Sequence, residues 1–238
     1  MNIALIGYGK MGKAIEEIAL QRGHKIVLKV DDDNLADFTK ENVGKADVAI
    51  EFTGPHSAYN NVKGIIEFGA PVVSGSTGWT DRIDEINRLC KERNGSFLYA
   101  SNFSVGVNIF FELNKKLASL MASHNEYAII MEEIHHTQKK DAPSGTAISL
   151  AEQIMEQLPQ KKKWVNHKSE KEEELSIISK REDPAPGTHR IKYTSPIDDI
   201  EITHTAHNRK GFALGAVVGA VFIRNKKGIF TMKEVLGL

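Results

Sequence analysis

Short apolar runs alternate with helical patterns through the first part of the chain. The runs, bounded by turn residues, predict strands at residues 3–6, 26–30, 48–52, 72–74 and 97–100. Between the first two runs, residues 10–22 carry Ile15, Ile18 and Ala19 at helical spacing, and Gly23 follows as a left-handed stop. Strand and helix in regular alternation predict an α/β domain with a doubly wound parallel sheet.

The pattern changes after Phe103. Residues 104–124 predict one long helix, with a Ser104 cap and an apolar face that includes Val107, Phe110 and Leu117. Further along, the pattern predicts a strand at 127–135, a helix at 144–158, and more strands around 177, 189–194 and 200–205. These mostly extended segments predict a second, α+β domain, whose sheet has a broad face suited to self-association.

Composition narrows the classes of partner. Lysine plus arginine and aspartate plus glutamate number 31 each in 238 residues, so the net charge of zero gives nucleic acid no attraction. The single cysteine, Cys90, excludes an internal disulfide and favours a reducing cytoplasm. The apolar run at 212–223 is shorter than the ~20 residues that span a bilayer, so no membrane association is expected.

A glycine motif joins the first predicted strand to the first helix, and it consists of Gly7, Tyr8, Gly9, Lys10, Met11 and Gly12. Glycine at its three positions permits a tight turn, a close approach of pyrophosphate to the backbone, and packing of helix on strand. Because a buried strand precedes the motif and a helix follows it, we expect a Rossmann-type domain that binds a dinucleotide.

An acidic residue completes the nucleotide pattern. Asp31 ends the second predicted strand, about 20 residues after Gly12, where a carboxylate binds the adenosine ribose. Asp32 and Asp33 follow, and three carboxylates together repel a 2′-phosphate. The sequence therefore predicts that NADH is preferred over NADPH.

Two further strand ends carry small polar residues at the carboxyl edge, where an open parallel sheet binds its ligand. The fourth predicted strand leads into Gly75, Ser76 and Thr77, and the fifth leads into Ala100, Ser101, Asn102 and Phe103. We expect backbone contacts from both loops to the nicotinamide end of the dinucleotide. The alternative for either loop is an ordinary turn.

The most unusual composition lies at residues 133–147, where adjacent histidines, two lysines and a helix start occur together. His135 and His136 exchange protons near neutral pH. Ser144, after Asp141 and Pro143, predicts a helix N-terminus, which binds anions. The segment therefore predicts a negatively charged small molecule brought to a proton donor.

A metal site is the alternative for this segment, since Glu132, Glu133, His135 and His136 are ligand types. Side chains alternate between the faces of a strand, so the two adjacent histidines point in opposite directions and do not easily share one ion. We expect no metal here, and we expect distinct roles for the two histidines.

Taken together, these motifs resemble the 4-hydroxy-tetrahydrodipicolinate reductase family, also called dihydrodipicolinate reductases. The central signature consists of His135, His136, Lys139, Asp141, Ala142, Pro143, Ser144, Gly145, Thr146 and Ala147. Further positions match in order: the glycine loop, residues 75–78, 102–108, 202–204, 209, 212–213 and 215–216, and the tail at 228–232. The likeness covers nearly the whole chain.

The resemblance implies an NAD(P)H-dependent reductase of lysine biosynthesis, which transfers hydride to 4-hydroxy-tetrahydrodipicolinate with loss of water. Residues 1–103 and 211–238 would form the dinucleotide-binding domain, and 104–210 the substrate-binding and oligomerisation domain of a homotetramer. His135 would act in acid/base catalysis and Lys139 as proton donor. Substrate carboxylates would be bound by His136, Ser144, Gly145, Thr146 and Arg209.

Some features depart from the family pattern. The glycine loop is one residue shorter than the common form, Lys10 replaces an arginine, and Glu51 replaces an aspartate. Residues 161–174, rich in lysine and glutamate, match poorly and predict a solvated connection, although Trp164 suggests some packing. A dehydrogenase of another amino-acid substrate and a dinucleotide-sensing protein are the rival functions, and neither explains the segment at 133–147.

Overall fold

The computed structural model describes residues 1–208 and 210–238. The strands are β1 Asn2–Ile6, β2 Lys25–Val30, β3 Val48–Glu51, β4 Val72–Ser74, β5 Ser96–Tyr99, β6 Ala128–His135, β7 Lys163–Val165, β8 Glu174–Arg181, β9 Gly187–Thr194, β10 Asp199–Ala206 and β11 Gly228–Phe230. The α-helices are α1 Lys10–Gln21, α2 Lys40–Val43, α3 Ala58–Glu67, α4 Ile83–Glu92, α5 Val105–Met121, α6 Gly145–Gln157, α7 Lys210–Ile223 and α8 Met232–Leu236. Short 3-10 helices lie at Leu35–Asp37 and Thr80–Arg82.

Contacts divide the chain into two units. The first contains Met1–Val105 and Lys210–Leu238, and the second contains Gly106–Arg209. The first unit is built on a six-stranded parallel sheet in the order β11-β5-β4-β3-β1-β2. The predicted parallel α/β architecture is therefore confirmed.

Both faces of this sheet are covered, as alternation along β1 requires. Ile3 and Leu5 point into one core, shared with α1 and α7, whereas Ala4 and Ile6 point into a second core on the opposite face. The residues of β1 from Ile3 to Ile6 are all at most 1% exposed. Continuous apolar runs are the sequence pattern of strands buried in this way.

The apolar run near the C-terminus is a core helix of the first unit. Helix α7 packs against α1. Gly215 also lets α7 lie close to the backbone of Phe103, since a Cβ there would lie 1.7 Å from the Phe103 carbonyl oxygen. Among the residues that the structure describes, no helix has both the length and the apolar character needed to cross a bilayer.

The second unit contains a mixed five-stranded sheet in the order β10-β9-β6-β8-β7, which confirms the predicted α+β pattern. Strands β9 and β10 run antiparallel to their neighbours, whereas β6, β8 and β7 pair in parallel. One face of the sheet packs on α5 and α6 through a single core that includes Phe110, Met131, Leu150, Ile177 and Tyr193.

The prediction of a solvated connection at 161–174 is wrong in part. Strand β7 lies inside this segment and extends the sheet by pairing with β8. Trp164 packs against the core of the second unit, and Lys161 Nζ donates to the carbonyl oxygens of Glu172 and Glu174. Partial burial of the Trp164 ring and the backbone hydrogen bonds of β7 stabilise the folded segment in spite of its many charged residues.

Candidate active site

The glycine loop has the geometry of a dinucleotide cradle. Gly7 adopts φ +93°, and a Cβ there would lie 2.2 Å from the Phe52 carbonyl oxygen. A Cβ on Gly12 would lie 2.3 Å from the Gly7 carbonyl oxygen, whereas a Cβ on Gly9 would have nothing within 4 Å. Gly7 and Gly12 therefore permit close packing of the backbone, and Gly9 leaves one side open to a ligand.

Two cavities of the first unit lie beside this loop. One, of about 450 Å³, is lined by Gly9, Lys10, Met11, Phe52, Thr53, Gly54, Pro55, Gly75, Ser76 and Thr77. The other, of about 320 Å³, is lined by Gly7, Gly9, Asp31, Asp32, Phe52, Thr53, Gly54, Pro55, His56 and Ser57. The glycine loop, Asp31 and the loop after β4 thus surround adjoining spaces, which fits a pyridine dinucleotide.

The loop after β3 was missed by the sequence reasoning. Phe52, Thr53, Gly54 and Pro55 line both cavities. The signal was present, because this loop follows a buried strand at the same carboxyl edge as the loop that begins at Gly75.

A buried carboxylate connects these loops. Glu51 is 0% exposed and accepts hydrogen bonds from Ser74 Oγ at 2.6 Å and Ser76 Oγ at 2.7 Å. Its Oε1 also accepts from the backbone N–H of Thr53 at 2.9 Å and from Thr53 Oγ at 2.5 Å. Glu51 therefore fixes two cavity-lining residues, Thr53 and Ser76, in the loops that follow two adjacent strands, β3 and β4.

Two other predicted cofactor residues turn their side chains into the protein. The Tyr8 hydroxyl donates to Glu16 and accepts from Lys29 Nζ, so its side chain ties the loop to α1 and β2. Phe103 is 2% exposed, and its ring packs 5.6 Å from that of Phe52. Phe103 can therefore offer a cofactor only its backbone.

The loop after β5 lies at the same sheet edge. Ala100 N–H donates to the Ser74 carbonyl at 3.3 Å, and Asn102 Oδ1 accepts from Ser104 N–H at 2.9 Å. Ser101 is exposed. The cofactor contacts predicted for Ala100, Ser101 and Asn102 stay predictions.

In the second unit, the end of β6 meets the start of α6. Ser144 caps α6, because its Oγ accepts from Ala147 N–H at 3.2 Å. The backbone N–H of Ser144 donates to both carboxylate oxygens of Glu133, at 3.1 and 3.0 Å. His135 Nδ1 lies 3.4 Å from Glu133 Oε2, so one carboxylate contacts both the histidine and the helix start.

Neighbouring strands bring two further residues to this point, and the sequence reasoning missed both. His189 lies opposite Glu133 in the pairing of β9 with β6, and its Nε2 is 3.2 Å from Ser144 Oγ. Arg181 lies opposite His135 in β8, and its guanidinium is 3.3 Å from Glu133 Oε1. Pairing register, which the sequence pattern did not specify, creates these contacts.

The protonation states follow from burial and charge. Burial raises the pKa of Glu133, but hydrogen bonds from Ser144 and Ser179, together with the neighbouring His135, outweigh it and hold that pKa below its usual range. Burial lowers the pKa of His135, against the opposing effect of Glu133. Burial also lowers the pKa of His189, to about 4. Near pH 7, an anionic carboxylate therefore lies between two neutral imidazoles.

Lys139 is held in the loop between β6 and α6. Its Nζ lies 2.8 Å from both carboxylate oxygens of Asp141, and this hydrogen bond lowers the pKa of Asp141. Arg181 donates to the backbone carbonyls of Lys139 and Asp141, which anchors the loop to β8. Asp141 thus orients Lys139, the predicted proton donor, and Ser144 caps helix α6.

The predicted substrate-binding residues differ in what they offer a ligand. Ser144 is 3% exposed and uses both its N–H and its hydroxyl within the protein. Gly145 is exposed, and a Cβ there would have nothing within 4 Å. His136 and Thr146 are half-buried, and Arg209 lies outside the described residues. The open approach to α6 is therefore at Gly145.

Glu133, His135 and His189 are donor types that also bind divalent cations, and their atoms lie within 4.8 Å of one another. However, both Glu133 oxygens accept from Ser144 N–H, and the Arg181 guanidinium already neutralises the carboxylate. These contacts favour a hydrogen-bonded proton network over a cation site.

Comparison with known proteins identifies the family. Models of the N-terminus and the C-terminus of dihydrodipicolinate reductase match residues 1–103 and 106–236. A 4-hydroxy-tetrahydrodipicolinate reductase of Christiangramia forsetii is 53% identical over 99% of this chain and 98% of its own length. One of Methanocaldococcus jannaschii is 34% identical over 98% of this chain and 81% of its own length.

A solved structure agrees with the fold. The dipicolinate-bound dihydrodipicolinate reductase from Paenisporosarcina sp. TG-14 superimposes with a TM-score of 0.78, at 23% identity, and covers 97% of each chain. The family resemblance predicted from the sequence is confirmed, and with it a pyridine nucleotide as the cofactor class. The chain belongs to the dihydrodipicolinate reductase family.

Proposed function

We propose that this chain reduces 4-hydroxy-tetrahydrodipicolinate to tetrahydrodipicolinate, with loss of water and oxidation of NAD(P)H to NAD(P)⁺. One observation carries the proposal: a capped helix N-terminus, open at Gly145, shares the buried carboxylate of Glu133 with His135. A helix N-terminus binds a carboxylate, and a histidine handles a proton. A dicarboxylate that must be protonated as it is reduced needs both.

When bound, the nicotinamide supplies a hydride. The chain's own residues then have three tasks: to bind the dicarboxylate, to supply a proton on the ring-nitrogen side, and to exclude competing water. We assign proton donation to Lys139, held by Asp141, and acid/base exchange to His135. The backbone N–H groups of Gly145 and Thr146, with His136 and Arg209, are assigned to the substrate carboxylates, and Ser144 to the cap that orients them.

We propose that the first unit binds the dinucleotide and prefers NADH. The cavity of about 320 Å³ next to Gly7 and Gly9 is lined by Asp31 and Asp32. A carboxylate accepts hydrogen bonds from ribose hydroxyls, and two carboxylates oppose the charge of a 2′-phosphate. Catalytic efficiency that is equal with NADH and NADPH would contradict this preference.

We propose that the second unit binds substrate and also forms a homotetramer in the cytoplasm. The face of its sheet away from α5 and α6 carries Ile130, Glu132, Lys180, Arg190 and Lys192, a mixture of apolar and paired charged groups. Size-exclusion chromatography with light scattering measures the molar mass in solution and tests this assembly. A monomer at micromolar concentration would contradict it.

Steady-state oxidation of NADH at 340 nm with freshly generated 4-hydroxy-tetrahydrodipicolinate tests the proposed reaction. We expect turnover that depends on both substrates and stops in Lys139→Ala. The matched control is Lys140→Ala, because Lys140 is the exposed neighbour in the same loop. Absence of turnover, or turnover only with an amino acid and NAD⁺, would favour the rival dehydrogenase function.

A further inference from the structure

Glu133 occupies an unusual position in the second unit. It is 0% exposed, yet it is charged, and it lies on β6 two residues before His135. A buried carboxylate is costly unless its oxygens are satisfied, and here Ser144 N–H and Arg181 satisfy them. The same carboxylate contacts His135 Nδ1 at 3.4 Å. One side chain therefore joins three elements of the site: β6, β8 and the first turn of α6.

We propose that Glu133 is a positioning residue, which holds the His135 imidazole and the N-terminus of α6 in one geometry for proton transfer to a bound dicarboxylate. This inference rests on the reaction proposed above. Glu133 has no open path to a ligand, since its side chain is fully buried. It therefore acts through His135 and Ser144 and not by touching the substrate.

His189 supports the same arrangement from the opposite strand. Its ring is 5.2 Å from that of His135 in an edge-on contact, and its Nε2 lies beside Ser144 Oγ. Gly187, also on β9, leaves space for this ring, because a Cβ there would be 3.0 Å from His135 Nε2. The His135 ring thus packs against β9, and its Nδ1 faces the Glu133 carboxylate.

The charged and titratable groups that face His135 decide how removal of the Glu133 charge would change the His135 pKa. They come from four places: Glu133 on β6, Arg181 on β8, His189 on β9, and Lys139 with Asp141 in the loop before α6. Lys139 and Arg181 disfavour a protonated His135, whereas Glu133 and Asp141 favour it. Without the Glu133 charge, the cationic groups dominate, and the pKa of His135 moves further down.

Glu133→Gln separates positioning from mere packing, because glutamine keeps the size of the side chain and one acceptor for Ser144 N–H. It removes the charge and turns an N–H₂ group toward either His135 or Arg181. A residue that only fills space would tolerate this change. The matched control is Glu152→Gln, the same substitution at an exposed position of α6 in the same unit.

We expect kcat to fall about 10- to 100-fold in Glu133→Gln, which is less than the full ~10²–10⁴-fold that acid/base catalysis contributes, because His135 itself is still present. The inflection of the kcat/KM profile that belongs to His135 should move to lower pH by about one unit, as should its NMR titration. Affinity for dipicolinate, the probe for the α6 N-terminus, should weaken at least threefold. Glu152→Gln should match the wild type in all three measurements.

An unshifted His135 titration with wild-type kcat and dipicolinate affinity would overturn the proposal. A loss of activity explained by a lower melting temperature, with an unchanged pH profile, would also overturn it. If Glu133→Gln does not fold, Glu133→Gln with Arg181→Gln removes both charges together, and kcat and dipicolinate affinity are then the readouts, because loss of the Arg181 charge offsets the effect on the His135 pKa. The NMR titration and dipicolinate binding need no turnover, so they test Glu133 even if the proposed reaction fails.

Discussion

The Ser76 hydroxyl donates a hydrogen bond to the buried Glu51 carboxylate across 2.7 Å, and this contact ties the end of β4 to the end of β3. Because Ser76 and Thr53 both line the larger cavity, Glu51 shapes the proposed cofactor site without lining it. We expect Glu51→Ala to lower the free energy of unfolding by at least about 1–3 kcal/mol, the cost of one unsatisfied buried donor. The KM for NADH should rise with it.

Urea unfolding and steady-state kinetics measure the two effects. Glu85→Ala is the control, because Glu85 is an exposed carboxylate that pairs with Arg82, and exposed pairs contribute little to stability. Equal losses of stability in the two variants would argue against a special role for Glu51.

The glycine loop allows a second test, since its glycines serve different purposes. We expect Gly12→Ala to disrupt both folding and NADH binding, because its Cβ would collide with the Gly7 carbonyl. Gly9→Ala should keep the wild-type melting temperature, since nothing lies within 4 Å, but should raise the KM for NADH at least tenfold by blocking the approach of pyrophosphate. Calorimetry would measure the melting temperature of each variant, and steady-state kinetics would measure its KM for NADH. Unchanged NADH kinetics in Gly9→Ala would place the cofactor elsewhere.

The proposed preference for NADH over NADPH depends on the Asp31 carboxylate. Asp31→Asn removes a charged acceptor at the smaller cavity, and charged hydrogen bonds contribute about 1.5–3 kcal/mol. We expect the kcat/KM for NADH to fall roughly tenfold or more, while that for NADPH falls less. Asp33→Asn, at an exposed position two residues along, serves as the control. A parallel loss for both cofactors in Asp31→Asn would show that Asp31 does not discriminate between them.

His189 predicts how stability depends on pH. Its pKa is about 4 in the folded protein, whereas an unperturbed histidine has a pKa of 6.5, so between these values the unfolded chain binds more protons. Stability from this group is therefore present above about pH 6.5 and is lost as pH falls through 4, by about 3 kcal/mol in all. Urea unfolding of His189→Gln should show a flatter decline between pH 7 and 4.5 than the wild type. His167→Gln, at an exposed position, should keep the wild-type slope.

Local pattern was enough to predict the sheet of the first unit and the glycine loop. The run from Ile3 to Ile6 is apolar at every position because both faces of β1 are buried. The requirement for glycine at Gly12 is also local, because a Cβ there would meet the Gly7 carbonyl, whereas the close packing at Gly7 involves Phe52 in the loop after β3. The N-cap at Ser144 also followed from adjacent residues.

The parts that the sequence did not predict depend on strand register. His189 and Arg181 reach Glu133 only because β9 and β8 pair with β6 in one register, and a shift of one residue would turn both side chains to the other face. Trp164 illustrates a related limit, since its charged segment forms strand β7 through pairing with the next strand, β8, and the local pattern did not predict this pairing. The catalytic roles of His135 and Lys139 stay predictions, drawn from the family resemblance and supported by their geometry.

Transfer of a deuterium label is the decisive test of whether this enzyme passes hydride from NADH to 4-hydroxy-tetrahydrodipicolinate. The enzyme would be mixed with freshly generated 4-hydroxy-tetrahydrodipicolinate and either (4R)- or (4S)-deuterated NADH, and the product mass would be recorded after one turnover. The account predicts that one of the two labelled cofactors places a single deuterium in tetrahydrodipicolinate, with one NADH consumed for each product formed. Oxidation of NADH without label in the product from either cofactor would contradict direct hydride transfer, and with it the proposed function.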